Sequence, residues 1–344
     1  MMYYDPTPFI ILAALIFVAI PVTVAIIQGS RKPKPVVSQQ GAAPVQAKRT
    51  PSPSNTKLIH GRYELKSPPF KQGGMATIWM AKERPTGRVC VIKTPRRGTA
   101  MDNVYLDKLM LEAGYLKRLN HPNIVKYIHD FYSDSEFHLV LEYVNGETMM
   151  ASSPRTSPGE QKVVSWACQL LDALSYVHAA GIIHRDVNPK NIMLCSDGSI
   201  KLIDFGTAKD LHDMNSNSLP RDPFTQIANK GFDIPELFMG SQSDQRCDLC
   251  GIAQTCIYLL TLRQPNELCS ALINSNWPRT FSEASTIADY LTSTGLSVRT
   301  ARCLAQAIMF DPENRFSNAL AMQAAICQSR NGKTTNPAEV AVKK

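Results

Sequence analysis

Acidic residues are almost missing from the first 63 positions of this 344-residue chain, where Asp5 stands alone against seven lysines and arginines. That asymmetry carries +6 of the formal net charge of +8, so residues 64–344 keep only +2. A nucleic-acid binder needs its basic excess on the folded surface, and the near-neutral remainder gives no reason to expect a nucleic-acid partner. A cysteine framework is missing too. The nine cysteines are odd in number and irregularly spaced, which speaks against a disulfide scaffold and suits reduced thiols in a cytoplasmic domain. Cys247 and Cys250 form one C-x-x-C, but no second pair and no nearby histidine completes a zinc site, so buried thiols are expected there. There is no internal repeat, and 44% apolar with 19% charged residues rules out wholesale disorder.

Charge is absent altogether from Phe9 to Gln28, an apolar run of 20 residues that as a helix would cross a hydrocarbon core of about 30 Å. The preceding MMYYDPTP lacks the basic region of a cleaved signal peptide, so a retained anchor is expected over residues 1–30. Arg31, Lys32 and Lys34 follow directly and place the rest of the chain in the cytoplasm, as a single-pass protein of the cell membrane. Residues 31–60 are rich in Pro, Ser, Gln and Lys and hold no acid, which reads as a mobile tether whose cations face anionic headgroups.

Beyond Gly61 the pattern turns to short β-rich segments, Arg62–Ser67, Ala76–Glu83 and Arg88–Thr94, with two more at Ile124–Tyr132 and Glu136–Tyr143. Between them, Leu106–Leu119 repeats apolar residues at helical spacing. From Gly159 to Gly181 runs a strong amphipathic helix, and helical patterns occupy 248–264, 283–292, 297–309 and 316–328. The expectation is an α+β chain: a small β-rich lobe with one main helix over 61–144, a larger helical lobe over 145–329, and a polar tail over 330–344.

The chemistry gathers in four places. Gly73 and Gly74 lie between two strand candidates, where a glycine turn lets backbone N–H groups approach phosphate oxygens, although Lys71 and Ala76 occupy the outer positions of a full G-x-G-x-x-G. Fifteen residues after Ile78, Lys93 ends the apolar strand V-C-V-I-K, and a lysine buried there needs a charge partner; Glu112 on the following helix is the candidate. Then come His184-Arg185-Asp186-Val-Asn188-Pro-Lys190-Asn191 and, thirteen residues after Asn191, Asp204-Phe205-Gly206.

H-R-D-x-x-x-x-N followed by D-F-G resembles the catalytic loop and metal-binding motif of the eukaryotic-like serine/threonine protein kinase family. The resemblance covers roughly residues 62–328, and the GGMA wording of the glycine turn is closer to bacterial members. It implies a two-lobed protein-kinase-like fold, protein substrates, and ATP and Mg²⁺ as cofactors. Asp186 is then implied as acceptor of the substrate hydroxyl proton, Asn191 and Asp204 as Mg²⁺ ligands, and Lys93, held by Glu112, as the grip on the α/β-phosphates. Main-chain groups of Glu142 and Val144 are implied to meet adenine, with Leu141 as gatekeeper and Ile78, Val91 and Met193 as ring contacts. Glu236 in I-P-E and Arg315 in DPENRF match a pair that holds the family's lower lobe together.

Two departures bear on activity. Asn188 stands where the family usually has a lysine directed at the γ-phosphate, and Asn229 replaces a threonine that steadies the catalytic aspartate. Thr225 lies eleven residues before Glu236, at the usual position of an activating phosphate that Arg185 and Lys209 would pair. The main alternative, from another class, is a catalytically weak or inactive pseudokinase that acts as a membrane-bound nucleotide-binding scaffold; a third is a small-molecule phosphotransferase with a kinase-like fold.

Overall fold

Tyr63 and Leu65 are buried on either side of Glu64, and the same period of two organises most of the first lobe into strands. The computed structural model describes residues 56–152, 156–211 and 231–327. The apolar run Phe9–Gln28, most of the tether and the polar tail lie outside these residues. Among the described residues no helix is long and apolar enough to cross a membrane.

Seven strands form the first lobe's antiparallel sheet: β1 (Thr56–Ile59), β2 (Tyr63–Lys66), β3 (Lys71–Gln72), β4 (Ala76–Glu83), β5 (Val89–Pro95), β6 (Tyr127–Ser133) and β7 (Glu136–Glu142). Their order is β1-β2-β4-β5-β7-β6, with β3 folded back onto β4. Register decides what the sheet can do. Ile78 lies opposite Lys93, Met80 opposite Val91, and Val91 opposite Leu141, so these side chains share one face. The alternate residues Cys90, Ile92, Ala81 and Val140 pack with Tyr63, Leu65 and Phe131 into a separate small core on the other face.

Helix α1 (Asp102–Arg118) packs on the sheet through Tyr105, Leu109, Ala113 and Leu116, spaced to form one stripe. Asp102 opens it by accepting N–H bonds from Gly98 and Thr99 at 2.9 and 2.8 Å. Lys117 and Arg118 close it, where cations suit the helix dipole.

The second lobe contains α2 (Glu160–Ala179), α3 (Pro235–Phe238), α4 (Arg246–Thr261), α5 (Pro265–Ile273), α6 (Phe281–Ser293), α7 (Val298–Ala307) and α8 (Ala319–Cys327). Short strands β8 (Gly146–Thr148), β9 (Ile182–Ile183), β10 (Ile192–Cys195), β11 (Ile200–Leu202) and β12 (Lys209–Asp210) brace the loops between them. Helix α4 is apolar nearly all round and buried from Cys247 to Ile257 without a break, as a central core helix must be. One core runs from Leu109 and Leu116 of α1 through Leu141, Val187 and Phe205 to Ile252 and Leu304 of the helical lobe.

Two expectations are corrected, and one helix lies where the sequence pattern announces none. Thr56–Ile59, assigned by composition to the tether, pair with β2 as strand β1, and Ile59 is buried in the small core. Helix α5 occupies a stretch where no periodicity is strong; its signals are Pro265 at the first helical position and Asn274 as a left-handed C-cap. Cys168 of α2 and Cys327 of α8 form a disulfide across 159 positions, so the nine thiols are not all free. The C-x-x-C pair sits inside α4, where burial pushes the Cys250 thiol up to about 12 and the Cys247 thiol well above its ordinary value. Protonated, buried thiols of that kind are packing groups.

Candidate active site

Lys93 is carried to the cleft by the alternation of β5, and once there it cannot stay unpaired, being only 8% exposed. Its Nζ donates to Glu112 Oε1 at 2.7 Å and to Asp204 Oδ1 at 3.2 Å. Burial works to lower its pKa, but the charges of Asp204 and Glu112 outweigh that and hold the ammonium above its ordinary value. Glu112 also accepts the Phe205 N–H at 3.3 Å, which ties α1 to the D-F-G segment. Burial likewise opposes ionisation of Asp204, and Lys93 outweighs it, leaving the Asp204 carboxyl below the usual range.

Asp186 lies on the loop between β9 and β10. Its carboxylate accepts Asn191 Nδ2 on Oδ2 and Asn188 Nδ2 on Oδ1, both at 2.7 Å. Burial first, and then the negative charge of Asp204, push its pKa up to about 7, although the two amides pull the other way. A carboxylate made that basic, yet held by hydrogen bonds, suits proton acceptance.

The backbone is strained where these groups meet: Arg185 has φ 68° and Asp204 φ 66°, left-handed values that bulky residues adopt only when the surroundings impose them. Asp248 supplies that force for the first. Fully buried at the start of α4, it accepts the Arg185 N–H on Oδ1 at 2.7 Å and the His184 N–H on Oδ2 at 2.9 Å, with His178 Nε2 2.8 Å from the same oxygen. The helical pattern over 248–264 begins at Asp248 without showing what that acid holds. A lone acid in an otherwise apolar helix is the signal that it needs donors. On the other side, the His184 ring meets Phe205 edge-on at 4.6 Å, and β12 pairs with β9, so the segment after D-F-G is stitched to the catalytic loop.

The remaining predicted residues fall as follows. Ile78, Val91 and Leu141 share the Lys93 face of the sheet, and Met193 lies on β10 opposite Lys201 and Thr148. The Glu142 N–H is already spent on Lys126 O at 3.0 Å, so of the two residues expected to meet adenine only Val144 is left to donate. Gly73 also donates inside its own hairpin, to Ala76 O at 2.8 Å, which leaves Gly74 as the open position of the glycine turn. Glu236 and Arg315 form a two-pronged ion pair, 2.8 Å at each prong, and Arg315 donates further to Met309 O and Phe310 O. Thr225 and Asn229 lie outside the described residues.

Asn191 and Asp204 offer a hard cation the oxygen donors it prefers. The Asn191 amide nitrogen faces Asp186, so its oxygen is the free end, and Asp204 engages Lys93 through Oδ1 alone. The donor set therefore fits Mg²⁺.

Comparison with known proteins agrees with this geometry. A family model described as protein kinase domain matches residues 70–327. The chain is 35% identical over 217 residues to the probable serine/threonine-protein kinase SCO3848 of Streptomyces coelicolor, covering 61% of this chain and 31% of that protein. It is 31% identical over 240 residues to serine/threonine-protein kinase F of a Synechocystis species, covering 64% and 48%. With the probable serine/threonine-protein kinase PknB of Bifidobacterium longum it shares 30% over 295 residues, covering 80% and 41%. The chain thus spans less than half the length of these relatives. Among solved structures, the Mycobacterium tuberculosis PknI kinase domain superposes with a TM-score of 0.58 at 22% identity, covering 79% of this chain and 97% of that one.

Proposed function

This chain belongs to the protein kinase domain family, and from that premise we propose that it transfers the γ-phosphate of Mg-ATP to serine and threonine hydroxyls of proteins. The observation that carries the proposal is Lys93 bridging Glu112 and Asp204 while Asp186 stands clamped beside them. Such transfer asks for positioning and charge neutralisation more than for covalent chemistry. Lys93, fixed by Glu112, neutralises the α/β-phosphates. Asp186 orients the acceptor hydroxyl and takes its proton as the oxygen attacks phosphorus. Asn191 and Asp204 would hold Mg²⁺, which when bound supplies positive charge to the phosphate oxygens. Val144 and the apolar face of Ile78, Val91 and Leu141 hold adenine.

An inactive scaffold has less in its favour, because all five groups with a chemical role stand together in the cleft. The membrane part of the proposal rests on the uncharged run Phe9–Gln28 and the cations after it. Both parts are tested on the full chain. Label from γ-labelled Mg-ATP is expected on phosphoserine or phosphothreonine, and label on tyrosine alone would refute the specificity. The expressed chain is expected to stay in the membrane fraction through alkaline carbonate washing, and release into the supernatant would remove the anchor from the proposal.

A further inference from the structure

Asn188 is 3% exposed, and both ends of its side-chain amide are engaged. Its Oδ1 accepts the backbone N–H of Lys190 at 2.9 Å. Since a backbone N–H can only donate, that contact fixes which end of the amide is oxygen. Nδ2 therefore faces Asp186, donating to its carboxylate Oδ1 at 2.7 Å and to its main-chain oxygen at 3.2 Å. Asn191 Nδ2 mirrors this arrangement, reaching Asp186 Oδ2 at 2.7 Å and the same main-chain oxygen at 2.9 Å. Each carboxylate oxygen of the proton acceptor thus receives an amide N–H, Oδ1 from Asn188 and Oδ2 from Asn191.

We propose that Asn188 is a positioning residue for phosphotransfer: it brings no cation to the γ-phosphate, but with Asn191 it locks the rotamer of Asp186 towards the incoming hydroxyl. The inference rests on the phosphotransferase reading above. Its physical basis is that a misdirected acceptor forfeits alignment that substrate binding cannot restore, so the loss falls on the chemical step. The turn that seats Asn188 is built locally, by its own bond to Lys190 and by the Asn191 N–H donating to the Asn188 carbonyl at 3.0 Å.

That local seating makes a clean test possible. Asn188→Leu keeps roughly the volume, adds no charge beside Asp186, and removes both the donor that faces Asp186 and the acceptor for Lys190. Asn188→Lys restores a donor without the acceptor. Wild type and both variants, as full chains, are compared for kcat, KM for ATP, nucleotide affinity and Tm, using Mg-ATP and a generic basic protein as acceptor. Asn188→Leu is expected to lose about tenfold or more in kcat, the scale of one charge-assisted hydrogen bond, with KM for ATP within about twofold and a Tm no lower than that of Asn188→Lys, while Asn188→Lys recovers most of the rate. A kcat for Asn188→Leu within about twofold of wild type overturns the proposal. So does a loss that follows Tm, or a loss of equal size in Asn188→Lys, since either makes the residue merely structural. A wild-type chain that binds ATP but transfers no phosphate defeats the phosphotransferase reading itself, and this inference with it.

Discussion

At the scale of single residues, Lys93 has the most to lose. It satisfies Glu112, which is 2% exposed, and neutralises one oxygen of Asp204. Lys93→Met should therefore act twice. Activity should fall by about a hundredfold or more, because the α/β-phosphates lose their cation. Stability should also fall, by up to about 3–5 kcal/mol, because Glu112 is left as an uncompensated buried charge. The double variant Lys93→Met/Glu112→Leu should regain much of that stability and none of the activity, which urea melts beside phosphotransfer rates would read out. Stability unchanged in Lys93→Met would mean that the ion pair contributes nothing to the fold.

At the scale of elements, the catalytic loop takes its shape from α4. Asp248 accepts two backbone N–H groups of His184 and Arg185 and thereby holds Arg185 in its left-handed conformation. Asp248→Asn substitutes an amide that can offer those donors only one oxygen. A tenfold or greater fall in kcat is expected on the scale of losing a charged hydrogen bond, with KM for ATP little changed; wild-type kcat would contradict the role. Strand β1 offers a second test. A chain beginning at Thr56 should match one that keeps the whole tether in Tm, whereas one beginning at Gly61 should lose about 1.5–3 kcal/mol for the burial of Ile59 alone. Equal stability would place β1 outside the fold's energetics.

These elements also show how far residues speak for themselves. Strands β4, β5 and β7 announce themselves as short, β-rich apolar runs, helix α2 through its period of 3.6, and Asp186, Asn191 and Asp204 through fixed spacing. Strand β1 does not, because it is a four-residue edge strand embedded in a tether-like composition whose pairing with β2 is a tertiary fact. The use of Asp248, the spent N–H groups of Glu142 and Gly73, and the amide clamp of Asn188 are likewise invisible in one dimension. Each depends on which backbone group a fold brings within about 3 Å.

At the scale of the whole molecule, one continuous core joins the first lobe's helix to the second lobe, and two ties fasten distant parts of the latter: the Glu236–Arg315 pair and the Cys168–Cys327 disulfide. A bond closing 159 positions restricts the unfolded chain, a contribution of a few kcal/mol in the chain-entropy picture. Reductant should accordingly lower the Tm of wild type and leave that of Cys168→Ser untouched. A free thiol at Cys168 in the purified, unreduced protein would contradict the tie.

The central claim is that the groups gathered around Lys93, Asp186 and Asp204 form a working phosphotransfer site. The most direct test is single-turnover transfer from γ-labelled Mg-ATP by wild type and Asp186→Asn, with nucleotide affinity measured on both. The account predicts that both bind ATP alike and that wild type transfers label to Ser or Thr at least a hundredfold faster. Equal rates in the two proteins, or tight ATP binding with no transfer by wild type, would contradict it.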